Sequence, residues 1–146
     1  MRGLGRAGEA HAALPFKRVK GLDGLQAELD AAAARGQPVM LDYYADWCVS
    51  CKELERYTFS DPRVQAVLRD TLVLQTDVTA NDDQDQALLT HFGLYGPPAV
   101  LFFGPDGVER RELRVIGYVD AKAFSAIAAR AATGTLSLEA SVRDPG

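Results

Sequence analysis

The chain has 146 residues, enough for one compact domain with short tails. Hydrophobic residues make up 47% and charged residues 25%, with a formal net charge of -4, so no basic surface argues for nucleic acid. The longest apolar runs, "PVMLDYY" and "AVLFF", are strand-sized and far from the ~18 residues a membrane helix needs.

In chain order, residues 1–15 read as a flexible lead-in rich in Gly, Ala and Arg, without the continuous apolar core of a signal peptide. The chain is therefore expected to be either cytosolic or a domain cut from a longer exported protein. "FKRV" (16–19) suits a short edge strand. "LDGLQAELDAAAARG" sets Leu22, Leu25, Leu29 and Ala32 at helical spacing, with Gly36 placed to end the helix. "PVMLDYY" (38–44) is apolar almost throughout, as a strand buried on both faces is. "KELERYTF" reads as helix. "SDPRVQAVLRD" reads as another, with Ser60 or Asp61 as cap and Pro62 in the first turn.

"TLVLQTDV" (71–78) is a strand, and "NDDQDQALLTHFG" is a helix with acidic residues at its positive end. "PAVLFF" and "ELRVIGY" are two strands around the turn signal "GPDG". Asp120 caps a last helix, "AKAFSAIAARAA", and residues 133–146 read as a frayed tail. Alternating strands and helices followed by a hairpin imply an α/β domain over 16–132, with a mixed central sheet flanked by helices on both faces.

The only two cysteines, Cys48 and Cys51, lie in "ADWCVSCK", where a buried strand gives way to a helix. A structural zinc site wants four ligands, and no second pair accompanies them; His11 and His91 are isolated. A structural disulfide closing so short a loop stabilises by only roughly 2 kcal/mol in the chain-entropy model. The third reading is a redox dithiol. Three residues is just under one helical turn, so both sulfurs share a face within bridging range. The first sulfur meets unpaired N–H groups and the positive end of the helix dipole, which favour thiolate. That geometry makes Cys48 an exposed attacker and Cys51 a shielded resolving partner.

Other residues carry two readings each. Asp42 is a strand-end carboxylate satisfied by backbone or water, or a functional acid held at a cost inside an apolar run. Glu55 follows Cys51 by four residues and shares its helix face, or it pairs with Lys52 on the surface. Trp47 is packing, or a shield and docking surface beside a reactive sulfur. Tyr43 and Tyr44 are sheet residues. Pro98, after Pro97, is a rigid turn, or a cis peptide laying backbone beside the sulfurs.

"VMLDYYADWCVSCK" resembles the thioredoxin active-site strand and helix, and "GPPAVLFF" resembles the segment that carries the thioredoxin cis-proline. "PVMLDYYADWCVSCKELERYTFSDPRVQ" and "TDVTANDDQDQALLTHFGLYGPPAVLFF" are similar to the C-terminal periplasmic domain of the DsbD thiol:disulfide interchange family, over roughly residues 16–130. The resemblance implies a thioredoxin fold with a redox-active disulfide and no further cofactor or metal. It also implies a place in a chain of electron carriers. Electrons pass from a transmembrane reductase domain to this domain, then to the N-terminal periplasmic domain of the same protein, which serves disulfide isomerases and cytochrome c maturation. The domain is then periplasmic, monomeric and not itself inserted in the membrane. Asp42 and Glu55 become acids that tune the dithiol, raising the pKa of Cys48 against the helix dipole. Trp47 and Pro98 become docking residues. Two positions depart from the thioredoxin pattern. Val49 and Ser50 stand between the cysteines where thioredoxin has Gly-Pro, and Ala99 follows the proline where Thr is frequent. The rival readings are a free-standing thioredoxin-like reductase and a non-catalytic binding module.

Overall fold

A computed structural model describes residues 13–133 of the chain. His11, most of the expected lead-in and all but the first residue of the expected tail lie outside the described residues. The elements run β1 (Lys17–Arg18), α1 (Gly21–Ala34), β2 (Val39–Tyr44), α2 (Val49–Glu53), a π-helical turn (Leu54–Thr58) and α3 (Pro62–Val67). There follow β3 (Leu72–Asp77), α4 (Asp83–His91), β4 (Ala99–Phe103), a 3-10 turn (Arg111–Leu113), β5 (Val115–Ile116) and α5 (Ala121–Thr133).

The five strands form one sheet in the order β1-β3-β2-β4-β5. β1 and β2 run parallel to β3, while β4 is antiparallel to β2 and β5 antiparallel to β4. Every residue of β2 is buried, as its unbroken apolar pattern requires of a central strand covered on both faces. One face packs Leu41, Tyr43 and Leu74 against Leu25, Leu29 and Ala32 of α1 and Leu88 and Leu89 of α4. The other packs Met40, Val100 and Phe102 against Val64 of α3 and Phe124, Ala128 and Ala131 of α5. Period-two alternation puts Asp42 on this second face, in line with Met40. Leu14, expected in the lead-in, is 6% exposed and belongs to the same cluster.

The helix ends follow their sequence signals. Gly36 adopts φ +66 just past α1, a conformation that side-chain-bearing residues seldom take. Asp61 caps α3 by accepting from the Arg63 N–H at 2.8 Å, with Pro62 at the first position. Asp82 and Asp85 form a reciprocal capping box on α4. Asp120 accepts from the Ala123 N–H at 2.9 Å at the start of α5.

Two expectations are corrected. "KELERYTF" is not one α-helix: α2 stops at Glu53 and the chain widens into a π-turn, closed by the Phe59 N–H to Leu54 oxygen bond at 2.7 Å. Tertiary contacts hold the wider turn. Thr58 donates to the Val119 carbonyl at 2.6 Å, and the buried Phe59 ring meets Phe16 and Phe124 edge-on. "ELRVIGY" is likewise not a continuous strand. After the "GPDG" turn the chain pairs with β4 at a single Phe103–Glu109 bridge, folds through the 3-10 turn that buries Leu113, and rejoins the sheet only at Val115–Ile116. Arg114 pins the detour, donating to both Glu109 carboxylate oxygens (2.6 and 2.9 Å) and to the Phe92 carbonyl (2.9 Å).

Candidate active site

β2 delivers its C-terminal end to a tight turn in which the Cys48 N–H donates to the Ala45 carbonyl at 3.1 Å. Cys48 then caps α2 in an extended conformation, and its sulfur accepts from the Cys51 N–H at 3.1 Å. The two cysteines form a disulfide with Cα atoms 5.3 Å apart. The Cys51 sulfur lies 3.6 Å from the Tyr43 carbonyl oxygen. A disulfide sulfur has no proton to give, so this is a close contact here; in the reduced dithiol it is where a Cys51 S–H can donate.

Cys48 is less open than its sequence position suggests. It is 6% exposed against 3% for Cys51, because the closed disulfide and the Ala45 turn bury both in the core on the α1 side of the sheet. The exposure falls instead on the flanking Trp47 (59%) and Val49 (71%). Trp47 is held outward by its indole N–H, which donates to the Thr79 carbonyl at 3.1 Å. Thr79 also accepts the Asp46 N–H at 2.8 Å through its hydroxyl, which is itself bonded to Asp77.

The peptide bond between Pro97 and Pro98 is cis. The β2–β4 register pairs Tyr43 with Ala99, which puts Pro98 beside the end of β2 from which the cysteine turn departs. The Gly117 N–H donates to the Pro98 carbonyl at 3.3 Å. Cys48, Cys51, Trp47 and Pro98 therefore meet at one end of the sheet, and Tyr95, Ile116 and Tyr118 add exposed apolar side chains on the strands and loops beside Pro98.

Asp42 lies inside β2, one residue before Tyr43, and is 3% exposed. Burial pushes its pKa up to about 7. The Gln75 amide and the Arg18 charge oppose that rise, and the Glu55 charge adds to it. Glu55 itself is exposed on the π-turn. Its charge acts on Lys52, but the Lys52 ammonium donates to the Tyr44 hydroxyl at 2.9 Å; that hydroxyl in turn donates to Asp46 at 3.0 Å. Tyr43 and Tyr44 take the sheet positions expected of them, with the Tyr43 hydroxyl donating to the Leu88 carbonyl at 3.1 Å. Exposed His91 stacks edge-on against Phe92 at the end of α4.

The structure adds two residues that motif reading passes over. Gln75 on β3 donates to Asp42 at 2.9 Å and accepts from Arg18 on β1 at 2.6 Å. The available signal was a polar side chain within the strand "LVLQTD", since a buried amide needs partners. No cluster of side chains suited to a metal ion occurs among the described residues.

A thioredoxin-like family model matches residues 22–105. The thiol:disulfide interchange protein DsbD of Salmonella typhi is 55% identical over 118 residues, covering 81% of this chain and 20% of that protein. DsbD of Escherichia coli K12 is 55% identical over 113 residues, again 20% of its length, so the chain spans about a fifth of these relatives. Among solved structures, the oxidised C-terminal domain of Neisseria meningitidis DsbD is 38% identical with a TM-score of 0.65, covering 75% of this chain and 95% of that domain. A thioredoxin mutant from Halobacterium salinarum gives 29% identity and a TM-score of 0.58, covering 83% of this chain and 96% of that one.

Proposed function

The chain belongs to the thioredoxin-like family, in the branch formed by the C-terminal domain of DsbD, and from this we propose that it passes electron pairs by dithiol–disulfide exchange. The observation that carries the reading is the Cys48–Cys51 disulfide closed at the N-cap of α2.

In the reduced domain, the Cys48 thiolate attacks one sulfur of a partner disulfide. A mixed disulfide forms and the partner's other sulfur leaves as thiolate, taking a proton from solvent. Cys51, once deprotonated, attacks the Cys48 sulfur and expels the partner's second thiol. Two electrons and two protons have then passed to the partner, and the domain is left with its internal disulfide. In the disulfide form the N–H of Cys51 already points at the Cys48 sulfur, a placement that favours negative charge there. Asp42 and Glu55 act in the opposite sense, and Asp42 is a buried acid one residue from the carbonyl that faces Cys51. Trp47 and Pro98 form the surface on which a partner strand rests.

In the finer reading the electrons arrive from a transmembrane reductase domain and leave to an N-terminal periplasmic domain of the same longer protein. The domain of residues 16–132, extended to Leu14 by its burial, then works in the periplasm with its disulfide as the sole redox group. The relatives' lengths support a longer parent protein. The test is stoichiometric exchange between the reduced domain and a disulfide-bonded N-terminal DsbD domain. Expected is partner dithiol appearing in step with the Cys48–Cys51 disulfide, and no transfer by Cys48→Ser. No transfer by the wild type leaves the binding-module reading; transfer to insulin but not to that domain leaves a free-standing reductase.

A further inference from the structure

Asp42 is reached from the outer edge of the sheet through a chain of two hydrogen bonds. Gln75 lies directly across from it in the β2–β3 register and is 3% exposed. Its amide nitrogen donates to Asp42 Oδ2 at 2.9 Å, and its amide oxygen accepts from Arg18 Nε at 2.6 Å. Arg18 is itself in register with Gln75 from the other side of β3, and its Nη1 is held by Asp77 at 3.3 Å.

The chemistry of the three groups fixes the direction of the chain. An arginine side chain has donors only, so the oxygen of Gln75 must face it. The NH2 group is then the end left for Asp42. A glutamine free to turn over would offer the acid either an acceptor, which favours the protonated carboxyl, or a donor, which favours the carboxylate. On β4, the register neighbour of Asp42 is Val100, which offers neither. The other charge acting on Asp42 is that of Glu55, from the π-turn.

We infer that Arg18 and Gln75 are positioning residues for Asp42: the two-residue edge strand β1 selects which end of the Gln75 amide the acid meets, and so which of its protonation states is favoured. The consequence for catalysis rests on the proposed role of Asp42 in tuning the dithiol. The hydrogen-bond chain itself does not, and it is tested in the oxidised protein, where no thiol titrates.

The experiment follows the Asp42 carboxyl carbon by NMR against pH in the wild type, Gln75→Met, Arg18→Ala and the double variant. Gln75→Met removes the donor and fills the space with an apolar side chain of similar length, so the Asp42 midpoint moves up by about one pH unit. Arg18→Ala moves it up by less, and the move survives high salt, where an exposed charge is screened. The double variant at high salt matches Gln75→Met alone, because Arg18 acts through the amide. An unmoved midpoint in Gln75→Met overturns the inference. So does an Arg18→Ala effect that salt abolishes or that persists undiminished beside Gln75→Met. Should Gln75→Met not fold, Arg18→Ala at an exposed site decides by its salt dependence. Dithiol exchange by the wild type is measured separately, so a failed exchange reaction removes the functional reading and leaves this result standing.

Discussion

The backbone N–H of Cys51 points at the sulfur of Cys48 at 3.1 Å, while the sulfur of Cys51 faces the Tyr43 carbonyl at 3.6 Å. The two sulfurs thus meet opposite polar environments, a donor for one and an acceptor for the other. A donor favours thiolate and an acceptor favours thiol, so attack by Cys48 and resolution by Cys51 are the expected roles. Cys51→Ser is expected to accumulate a mixed disulfide with its partner through Cys48, seen on non-reducing gels and located by mass spectrometry. Cys48→Ser is expected to trap none; a trap that needs Cys51 reverses the roles.

Asp42 predicts a pH dependence of stability. Burial raises its pKa from 3.8 to about 7, so between those values the folded protein holds a proton that the unfolded chain has lost. Stability is therefore full below about pH 4 as far as this group is concerned, and it falls as pH rises toward 7. The full loss is on the order of 4 kcal/mol. Asp42→Asn keeps the shape and still accepts from Gln75, so it should remove this slope and be the more stable protein at pH 8. Urea unfolding of the oxidised forms at pH 5 and pH 8 measures it; parallel slopes in the two proteins would show that Asp42 ionises without cost.

The order of the elements was legible because each rests on local signals: the periodic leucines of α1, Asp61–Pro62 before α3, the acidic start of α4. The dithiol was legible because its chemistry sits within four consecutive residues. What escaped depends on contacts distant in sequence. The π-turn exists because Thr58 reaches Val119, 61 residues on, and Phe59 lodges between Phe16 and Phe124. The short β5 follows from the reach of Arg114 to the Phe92 carbonyl, 22 residues back, which its nearby partner Glu109 helps to hold. The role of Gln75 becomes visible only once the β2–β3 register sets it opposite Asp42.

Both acids are expected to restrain Cys48 in the reduced protein, and unequally. Asp42 is buried, so its charge is poorly screened; Glu55 is exposed, so its effect weakens with salt. With a pKa of about 7, Asp42 exerts its charge mainly above neutrality, and the acid and the thiols titrate as a coupled set. Asp42→Asn should speed alkylation of Cys48 several-fold near pH 8, with a fall of about one unit in the apparent thiol pKa. Glu55→Gln should act in the same direction, by less, and only at low salt. Unchanged alkylation profiles in both variants would leave the two carboxylates as structural groups.

Trp47 separates docking from chemistry. It is a large apolar side chain left 59% exposed next to Cys48, yet two bonds to Thr79 hold its loop: the indole N–H to the carbonyl, and the Asp46 N–H to the hydroxyl. An exposed aromatic held in place loses little conformational freedom when a partner covers it, the condition under which such residues dominate interfaces. Trp47→Ala should therefore slow exchange with a protein disulfide by roughly ten-fold or more, a loss of ~1.4 kcal/mol in the encounter. Exchange with a small disulfide such as oxidised dithiothreitol, which needs no surface, should change little. Thr79→Ala keeps the ring but releases the Asp46 N–H, and should give a smaller loss of the same kind. Equal slowing toward both substrates would mean that Trp47 shapes the sulfur environment itself, and the docking role would fall.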